Sequence, residues 1–322
     1  MFSSIFFLII GLVLIIGGAS FLTDGASAIA RRLGMSDLVV GLTIVAFGTS
    51  APELVISLIS AMNGSSELAV GNVVGSNIFN ILVIVGITAM VMPMKIQRSI
   101  MTNEIPLVVL SSLVLLIMAN TPILDGAGQA GISRSDGLIL LLFFLIFMRY
   151  TFSQARISPE SKPRNDTRQQ SPLWKSTAYV TGGLAALVYG GDRFVAGASD
   201  IAAAMGVSEA IIGLTIVSTG TSLPELATSV TAAIKGNSGI AIGNVIGSNI
   251  FNIFLVLGAS ATCTPLQLGD INNADLLTLT GASVLFWIFG WLFRRRTITR
   301  GEGAVLTLAY IGYIAYLIMG VK

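Results

Sequence analysis

The sequence predicts an all-α membrane protein of about ten transmembrane helices, arranged as two inverted five-helix repeats. Three observations lead to this fold class. The chain is strongly apolar, its apolar residues fall into ten separate runs, and its two halves repeat each other at a constant offset.

The composition of the chain indicates that lipid is its main solvent. Of 322 residues, 54% are hydrophobic and only 11% are charged, and the mean hydropathy is +0.86. Such values are typical of polytopic membrane proteins. The single cysteine excludes an intramolecular disulfide, and the lack of histidine excludes imidazole relays and His-ligated zinc. We expect no resident cofactor, no nucleic-acid partner and no required protein partner in addition to the lipid bilayer.

The apolar runs fit the thickness of a membrane. About 20 apolar residues cross roughly 30 Å of hydrocarbon. On this basis the sequence predicts spans at 5–22, 38–62, 68–92, 105–119, 137–151, 177–197, 210–234, 239–262, 276–293 and 303–319.

A polar segment at 153–176 separates the fifth run from the sixth. It contains five Lys or Arg residues and three prolines, which is typical of a linker. Lys and Arg are retained on the cytoplasmic side of membranes. An external N-terminus places 15 of the 18 Lys and Arg residues on that side. We therefore predict a cytoplasmic linker and two external termini.

The internal repeat is the strongest feature of the sequence. Residues 41–86 match residues 213–258 without a gap, at an offset of 172, with 27 of 46 positions identical. The repeat predicts a first five-helix copy at 1–152 and a second at 177–322. Because five is an odd number of spans, the second copy enters the membrane upside down, and such repeats share a site at the midplane.

Two glutamates in these spans carry a high free-energy cost of placing a charge in the membrane. Glu53 lies in the segment GTSAPEL and Glu225 in its repeat GTSLPEL. An intramembrane charge costs roughly 2.5–3.5 kcal/mol on insertion scales, so each glutamate needs a cation. The preceding proline breaks the helix and frees backbone oxygens. Carboxylate, hydroxyl and carbonyl oxygens together suit hard cations such as Ca²⁺ and Na⁺.

A second motif follows each glutamate in the next span. It reads GNVVGSNIFN in the first copy and GNVIGSNIFN in the second. Ser76 and Asn80 are four residues apart and share one helix face, as do Ser248 and Asn252. Both pairs can therefore face one cavity.

These paired motifs resemble the two repeats of the sodium/calcium exchangers, within the wider calcium/cation antiporter superfamily. Prokaryotic members are the most similar in length, and they imply location in a prokaryotic inner membrane. The resemblance implies an exchanger-like fold of ten helices and a transporter rather than an enzyme. It also implies an exchange of about three Na⁺ for one Ca²⁺.

The resemblance also implies a set of ligands. Glu53 and Glu225 would bind Ca²⁺ together with Thr49 and Thr221, and Asn80 and Asn252 would face the central site. The remaining members would be the serines of the flanking Na⁺ sites and two residues that offer backbone carbonyls: Ser50, Ser76, Ser222 and Ser248, and Ala46 and Ser218. Some relatives carry Asp at the position of Asn252, and potassium-dependent ones do so.

The mechanism we expect is alternating access. Bound Ca²⁺ or Na⁺ neutralises the glutamates and permits the site to change the side of the membrane to which it opens. Two alternatives stay open. One is a Ca²⁺/H⁺ exchanger, whose repeats place an acidic residue where this chain has Asn80 and Asn252. The other is a passive cation channel, although inverted repeats with broken helices typify transporters.

Overall fold

The computed structural model describes residues 2–121, 123, 126, 130–155, 172–205, 218–269, 271–292 and 296–320. Residues 156–171, which form most of the predicted linker, lie outside the described residues. The first part of the predicted span 210–234, up to residue 217, also lies outside them.

The described residues are mostly helical. In chain order the helices are α1 (Phe2–Leu33), α2 (Asp37–Thr49), α3 (Ala51–Met62), α4 (Ser66–Val91), α5 (Ile100–Ala119), α6 (Arg134–Ala155), α7 (Leu173–Ala204), α8 (Ser218–Gly220), α9 (Leu223–Ile234), α10 (Ser238–Cys263), α11 (Asn273–Leu292) and α12 (Arg300–Gly320).

Seven of these helices are long and apolar enough to cross a membrane: α1, α4, α5, α6, α10, α11 and α12. The bent pair α2 and α3 makes an eighth if it counts as one span. The chain is therefore a multi-pass helical membrane protein. The number of ten helices stays a prediction.

The chain divides into two compact units. The first unit comprises Met1–Pro52 and Tyr150–Asn244, and the second comprises Glu53–Arg149 and Val245–Lys322.

In the first unit, α1 and α7 pack against each other in opposite directions. A Cβ atom added at Gly18 would lie 2.8 Å from the Gly183 carbonyl oxygen, and one at Gly183 would lie 2.6 Å from the Leu22 nitrogen. Only glycine permits this approach of two backbones. The small residues recur every seven positions on both helices: Ser4, Gly11, Gly18 and Gly25 on α1, and Ser176, Gly183, Gly190 and Gly197 on α7.

Helix α1 extends beyond the predicted span 5–22 and ends only at Leu33. The predicted span was shorter because the charged residue Asp24 lies just beyond its apolar run. In the structure, Lys235 Nζ lies 2.8 Å from Asp24 Oδ1 and 2.7 Å from Ser20 Oγ. This ion pair balances the charge of Asp24 within the helix.

The second unit contains two short antiparallel ribbons, which the all-α prediction missed. Strand β1 (Met94–Lys95) pairs with β4 (Thr297–Ile298), and β2 (Gly131–Ile132) pairs with β3 (Leu266–Gln267). Strands of two residues carry no detectable alternation of apolar and polar side chains, so the sequence offers no signal for them.

In the second unit, each ribbon contains one strand from each copy of the repeat. Strands β1 and β3 are related by the offset of 172, and each pairs with a strand from the other copy. The rings of Phe79 and Tyr310 meet edge to face, and so do those of Phe251 and Phe144. Phe79 and Phe251 are again related by the same offset.

Helices α4 and α10 are the most buried of the membrane-length helices. In their apolar stretches 83% and 94% of the residues are buried, against 17% in α6 and α12. These two helices carry the repeated GSNIFN motif, so this polar motif lies away from the surface.

Candidate cation-binding site

The helix is broken at the equivalent serine in both copies of the repeat. Ser50, the residue after α2, has φ −86° and ψ 5°, and Ser222, the residue before α9, has φ −89° and ψ 4°. These values lie in the sparsely populated region between helix and strand. The proline two residues later has no N–H and fits the first turn of the new helix.

The two predicted glutamates lie just after these breaks. Glu53 is in the first turn of α3 and Glu225 in the first turn of α9. Their exposed fractions are 0% and 1%. The N-terminus of a helix carries a partial positive charge, which favours a carboxylate in its first turn. The helix break therefore supplies part of the compensation that a buried carboxylate requires.

The first unit joins predicted residues from both copies of the repeat. Ser50 donates a hydrogen bond from Oγ to Glu225 Oε1 at 3.1 Å. Thr49 Oγ1 donates to Asn244 Oδ1 at 3.1 Å and lies 3.4 Å from the Ala46 carbonyl oxygen. All five of these residues are buried. The unit thus places a hydroxyl, a carboxylate and a backbone oxygen in one connected cluster.

The same unit contains the other predicted residues of the second-copy break. Ser218 begins α8, and Thr221 and Ser222 form the turn between α8 and α9. Ser222 is buried. The Oγ1 atom of Thr221 has no hydrogen-bond partner among the described residues.

The helices beside the glutamates are tied to them by a repeated asparagine. In the second unit, Asn72 Nδ2 donates to the Glu53 carbonyl oxygen at 3.4 Å and to Ser57 Oγ at 3.0 Å. In the first unit, Asn244 Nδ2 donates to the Glu225 carbonyl oxygen at 3.3 Å and to Ser229 Oγ at 3.0 Å. The two arrangements are related by the offset of 172.

The second unit contains the predicted residues of the GSNIFN motifs. Asn80 begins a π-helical turn, Asn80–Ile84, and Asn252 lies in another, Phe251–Leu257. Such turns occur often at functional sites because they redirect side chains. Asn252 Nδ2 donates to Asn77 Oδ1 at 3.0 Å, which turns the amide oxygen of Asn252 in another direction.

Several buried polar atoms in the second unit have no hydrogen-bond partner among the described residues. Those that belong to predicted site residues are Ser76 Oγ, Ser248 Oγ, Asn252 Oδ1 and both side-chain polar atoms of Asn80, and others include Thr88 Oγ1, Asn249 Oδ1 and Ser260 Oγ. An unsatisfied buried polar group costs about 1–3 kcal/mol. Oxygens in this state are suited to bind a cation.

The twelve predicted site residues therefore divide between the two units. The first unit contains Ala46, Thr49, Ser50, Ser218, Thr221, Ser222 and Glu225, and the second contains Glu53, Ser76, Asn80, Ser248 and Asn252. Asn72, Asn77 and Asn244 were not among the residues predicted from the sequence. Their signal was present, because they are amides at repeated positions within apolar spans.

Broken helices with buried carboxylates and neutral oxygens, in a multi-pass helical protein, are the features of a membrane transporter. The profile described as "Sodium/calcium exchanger protein" matches residues 3–153 and 175–319. The chain belongs to the sodium/calcium exchanger family. This is a family of transporters, not of catalytic enzymes, and its substrates are Na⁺ and Ca²⁺.

Relatives along the whole chain support this assignment. "Putative antiporter CaxA" of Alkalimonas amylolytica is 37% identical over 318 residues, which cover 95% of this chain and 96% of that protein. "Sodium/calcium exchanger MaX1" of Methanosarcina acetivorans is 31% identical over 344 residues, covering 96% and 97%. The chain is thus similar to antiporters over nearly its full length.

A solved structure is similar to the fold. The sodium-calcium exchanger NCX_Mj, soaked with zero Na⁺ and Ca²⁺, matches with a TM-score of 0.84 and 30% identity. The match covers 97% of this chain and 98% of that one. The fold is therefore that of an exchanger, and the protein is a cation/Ca²⁺ antiporter.

Proposed function

We propose that the protein exchanges Na⁺ for Ca²⁺ by alternating access. The observation that carries this proposal is the pair of buried carboxylates, Glu53 and Glu225, at equivalent helix breaks. The other ten predicted ligands are neutral oxygen donors. Two negative charges are balanced by one Ca²⁺ or by Na⁺ ions, so either cargo makes the glutamates tolerable in a membrane. With neither cation bound, the negative charge opposes the change in the side of the membrane to which the site opens.

The neutral amides favour Na⁺ over H⁺ as the coupling ion. Asn80 and Asn252 occupy the positions where Ca²⁺/H⁺ exchangers place an acid. Unlike a carboxyl group, an amide side chain does not take up and release a proton during the transport cycle. Asn252 is held as an amide donor by Asn77. The names of MaX1 and NCX_Mj, both sodium/calcium exchangers, support the same choice.

The ribbons support an inverted arrangement of the repeats. Strands β1 and β2 precede and follow α5, and β3 and β4 precede and follow α11. If α5 and α11 each cross the membrane once, β1 lies at the opposite membrane face from β2, and β3 lies at the opposite face from β4. Because β1 pairs with β4 and β2 with β3, the equivalent strands β1 and β3 then lie at opposite faces. Copies in the same orientation could not form these pairs.

The antiparallel packing of α1 against α7 supports the same topology, since these helices are the first of each copy. We accordingly propose ten spans, with copies at 1–152 and 177–322 joined by the linker 153–176. The ribbon of β1 and β4 contains Lys95 and is flanked by Arg98 and Arg296, which favours the cytoplasmic side for that ribbon. Both termini are then external, and the host membrane is a prokaryotic inner membrane.

The energetics permit Ca²⁺ export. Three Na⁺ ions moving down a tenfold gradient release about 4.2 kcal/mol. One net charge adds about 2.3 kcal/mol per 100 mV. The total of about 6.5 kcal/mol holds a Ca²⁺ gradient between about 10⁴ and 10⁵.

Ca²⁺ uptake into proteoliposomes loaded with Na⁺, at equal pH on both sides, tests the proposal. We expect uptake that depends on the outward Na⁺ gradient. In a parallel assay with a pH gradient and no Na⁺ gradient, uptake that occurs only there would replace Na⁺ exchange by H⁺ exchange. Uptake that ignores both gradients would indicate a channel.

A further inference from the structure

Asn244 is a buried asparagine that is not one of the predicted cation ligands. Its exposed fraction is 0%, and it forms three hydrogen bonds within the first unit. The amide nitrogen donates to the Glu225 carbonyl oxygen and to Ser229 Oγ, and the amide oxygen accepts from Thr49 Oγ1. Asn244 therefore connects a predicted ligand of the first copy with the backbone of the glutamate in the second copy.

The hydroxyl of Thr49 has one proton and two nearby acceptors. Asn244 Oδ1 lies at 3.1 Å and the Ala46 carbonyl oxygen at 3.4 Å. A hydroxyl that binds a cation must direct its lone pairs at the ion and its proton elsewhere. If the proton turned to Ala46, it would occupy the carbonyl oxygen that is itself a predicted cation ligand.

We propose that Asn244 is a positioning residue for cation binding, because its amide oxygen accepts the hydrogen bond of the Thr49 hydroxyl and so keeps the oxygens of Thr49 and Ala46 available to the ion. Its second contact holds the first turn of α9, in which Glu225 lies. This inference rests on the proposed function, since it assumes that Thr49 and Ala46 bind the transported ions.

The repeat offers a matched control in Asn72. Asn72 forms the same two donor bonds, to the Glu53 carbonyl oxygen and to Ser57 Oγ. Among the described residues, no threonine hydroxyl donates to Asn72. Replacing Asn72 therefore removes the donor bonds of such an asparagine without affecting the proton of Thr49.

The test is a double-mutant cycle on Ca²⁺ binding to the purified full chain, with ⁴⁵Ca²⁺ as the probe. We expect Thr49→Val and Asn244→Ala each to raise the dissociation constant about fivefold to tenfold. The double variant should bind about as weakly as the weaker single variant. Thr49→Ser, which keeps the hydroxyl, should bind within about twofold of the wild type.

The control cycle pairs Thr49→Val with Asn72→Ala, and there the two effects should multiply. If the alanine variant at 244 does not insert, Asn244→Leu keeps the side-chain volume and serves the same comparison. An effect of Thr49→Val that is equally large with and without Asn244 would overturn the inference. The proposed function has a separate readout, since its failure would be a wild-type protein without Na⁺-driven Ca²⁺ uptake.

Discussion

At the scale of single residues, Glu53 and Glu225 are the two charges that a bound cation must balance. We expect Glu53→Gln and Glu225→Gln each to abolish Ca²⁺ uptake while the protein still inserts, because the amide keeps the shape and removes the charge. The measurement is Na⁺-driven ⁴⁵Ca²⁺ uptake at equal protein content per liposome. Glu67→Gln, at an exposed position in the first turn of α4, is the control and should leave uptake unchanged. Full activity in either buried variant would remove that glutamate from the site.

The amide of Asn252 leads to a second prediction at this scale. The resemblance to the exchangers implies an acid at this position in potassium-dependent relatives, whereas here a neutral side chain donates to Asn77 at 3.0 Å. One carboxylate fewer leaves less negative charge for an additional monovalent cation to balance. We therefore expect Na⁺-driven Ca²⁺ uptake to persist when choline replaces K⁺ on both sides. Loss of uptake under that replacement would contradict the assignment of Asn252.

The sequence predicts the acids of the candidate site because charged and repeated residues in apolar spans are conspicuous, the resemblance to the exchangers adds the hydroxyls, and their role as ligands stays a prediction. It did not identify the roles of Asn77 and Asn244. Their partners, Asn252 and Thr49, are 175 and 195 residues away in the chain. Contacts at such separations follow from the packing of helices, which no local pattern in the sequence encodes.

At the scale of helices, the contact between α1 and α7 depends on glycine. Gly18→Ala and Gly183→Ala place a methyl group against backbone atoms at 2.8 Å and 2.6 Å. We expect each to lower the free energy of unfolding by about 1–3 kcal/mol, as overpacking does. Thermal unfolding of the purified protein, followed by size-exclusion chromatography, measures the change.

Neighbouring glycines on the same helices are the controls for this prediction. A Cβ atom added at Gly17 or Gly182 meets nothing within 4 Å. Alanine favours a helix by up to about 1 kcal/mol relative to glycine. Gly17→Ala and Gly182→Ala should therefore be at least as stable as the wild type. Equal destabilisation at all four positions would show that the close contact is not the cause.

The helices also show where local pattern fails. The predicted span 5–22 ended two residues before Asp24, because a charge usually marks the edge of a membrane span. Lys235, distant in the chain, forms an ion pair with Asp24, and α1 continues past this pair to Leu33. The π-helical turns at Asn80–Ile84 and Phe251–Leu257 leave the apolar pattern intact, so hydropathy does not reveal them.

At the scale of the whole molecule, the only cysteine offers a test of topology. Cys263 is exposed and immediately precedes the ribbon of β2 and β3, which the proposed topology places outside. We expect a membrane-impermeant maleimide to label the wild-type protein in cells from the outside. A second variant, Cys263→Ser with Ser161→Cys in the linker, should be labelled only after the membrane is opened. The reverse pattern would invert the topology.

The proposed function depends on the coupling of Ca²⁺ to Na⁺, which the Ca²⁺ gradient at which net flux stops measures. Proteoliposomes are held at zero membrane potential and equal pH, with a threefold Na⁺ gradient. With three Na⁺ for one Ca²⁺, flux should stop at about a 27-fold Ca²⁺ gradient, and that point should move with the Na⁺ gradient. Flux that stops at equal Ca²⁺ concentrations whatever the Na⁺ gradient would contradict Na⁺/Ca²⁺ exchange.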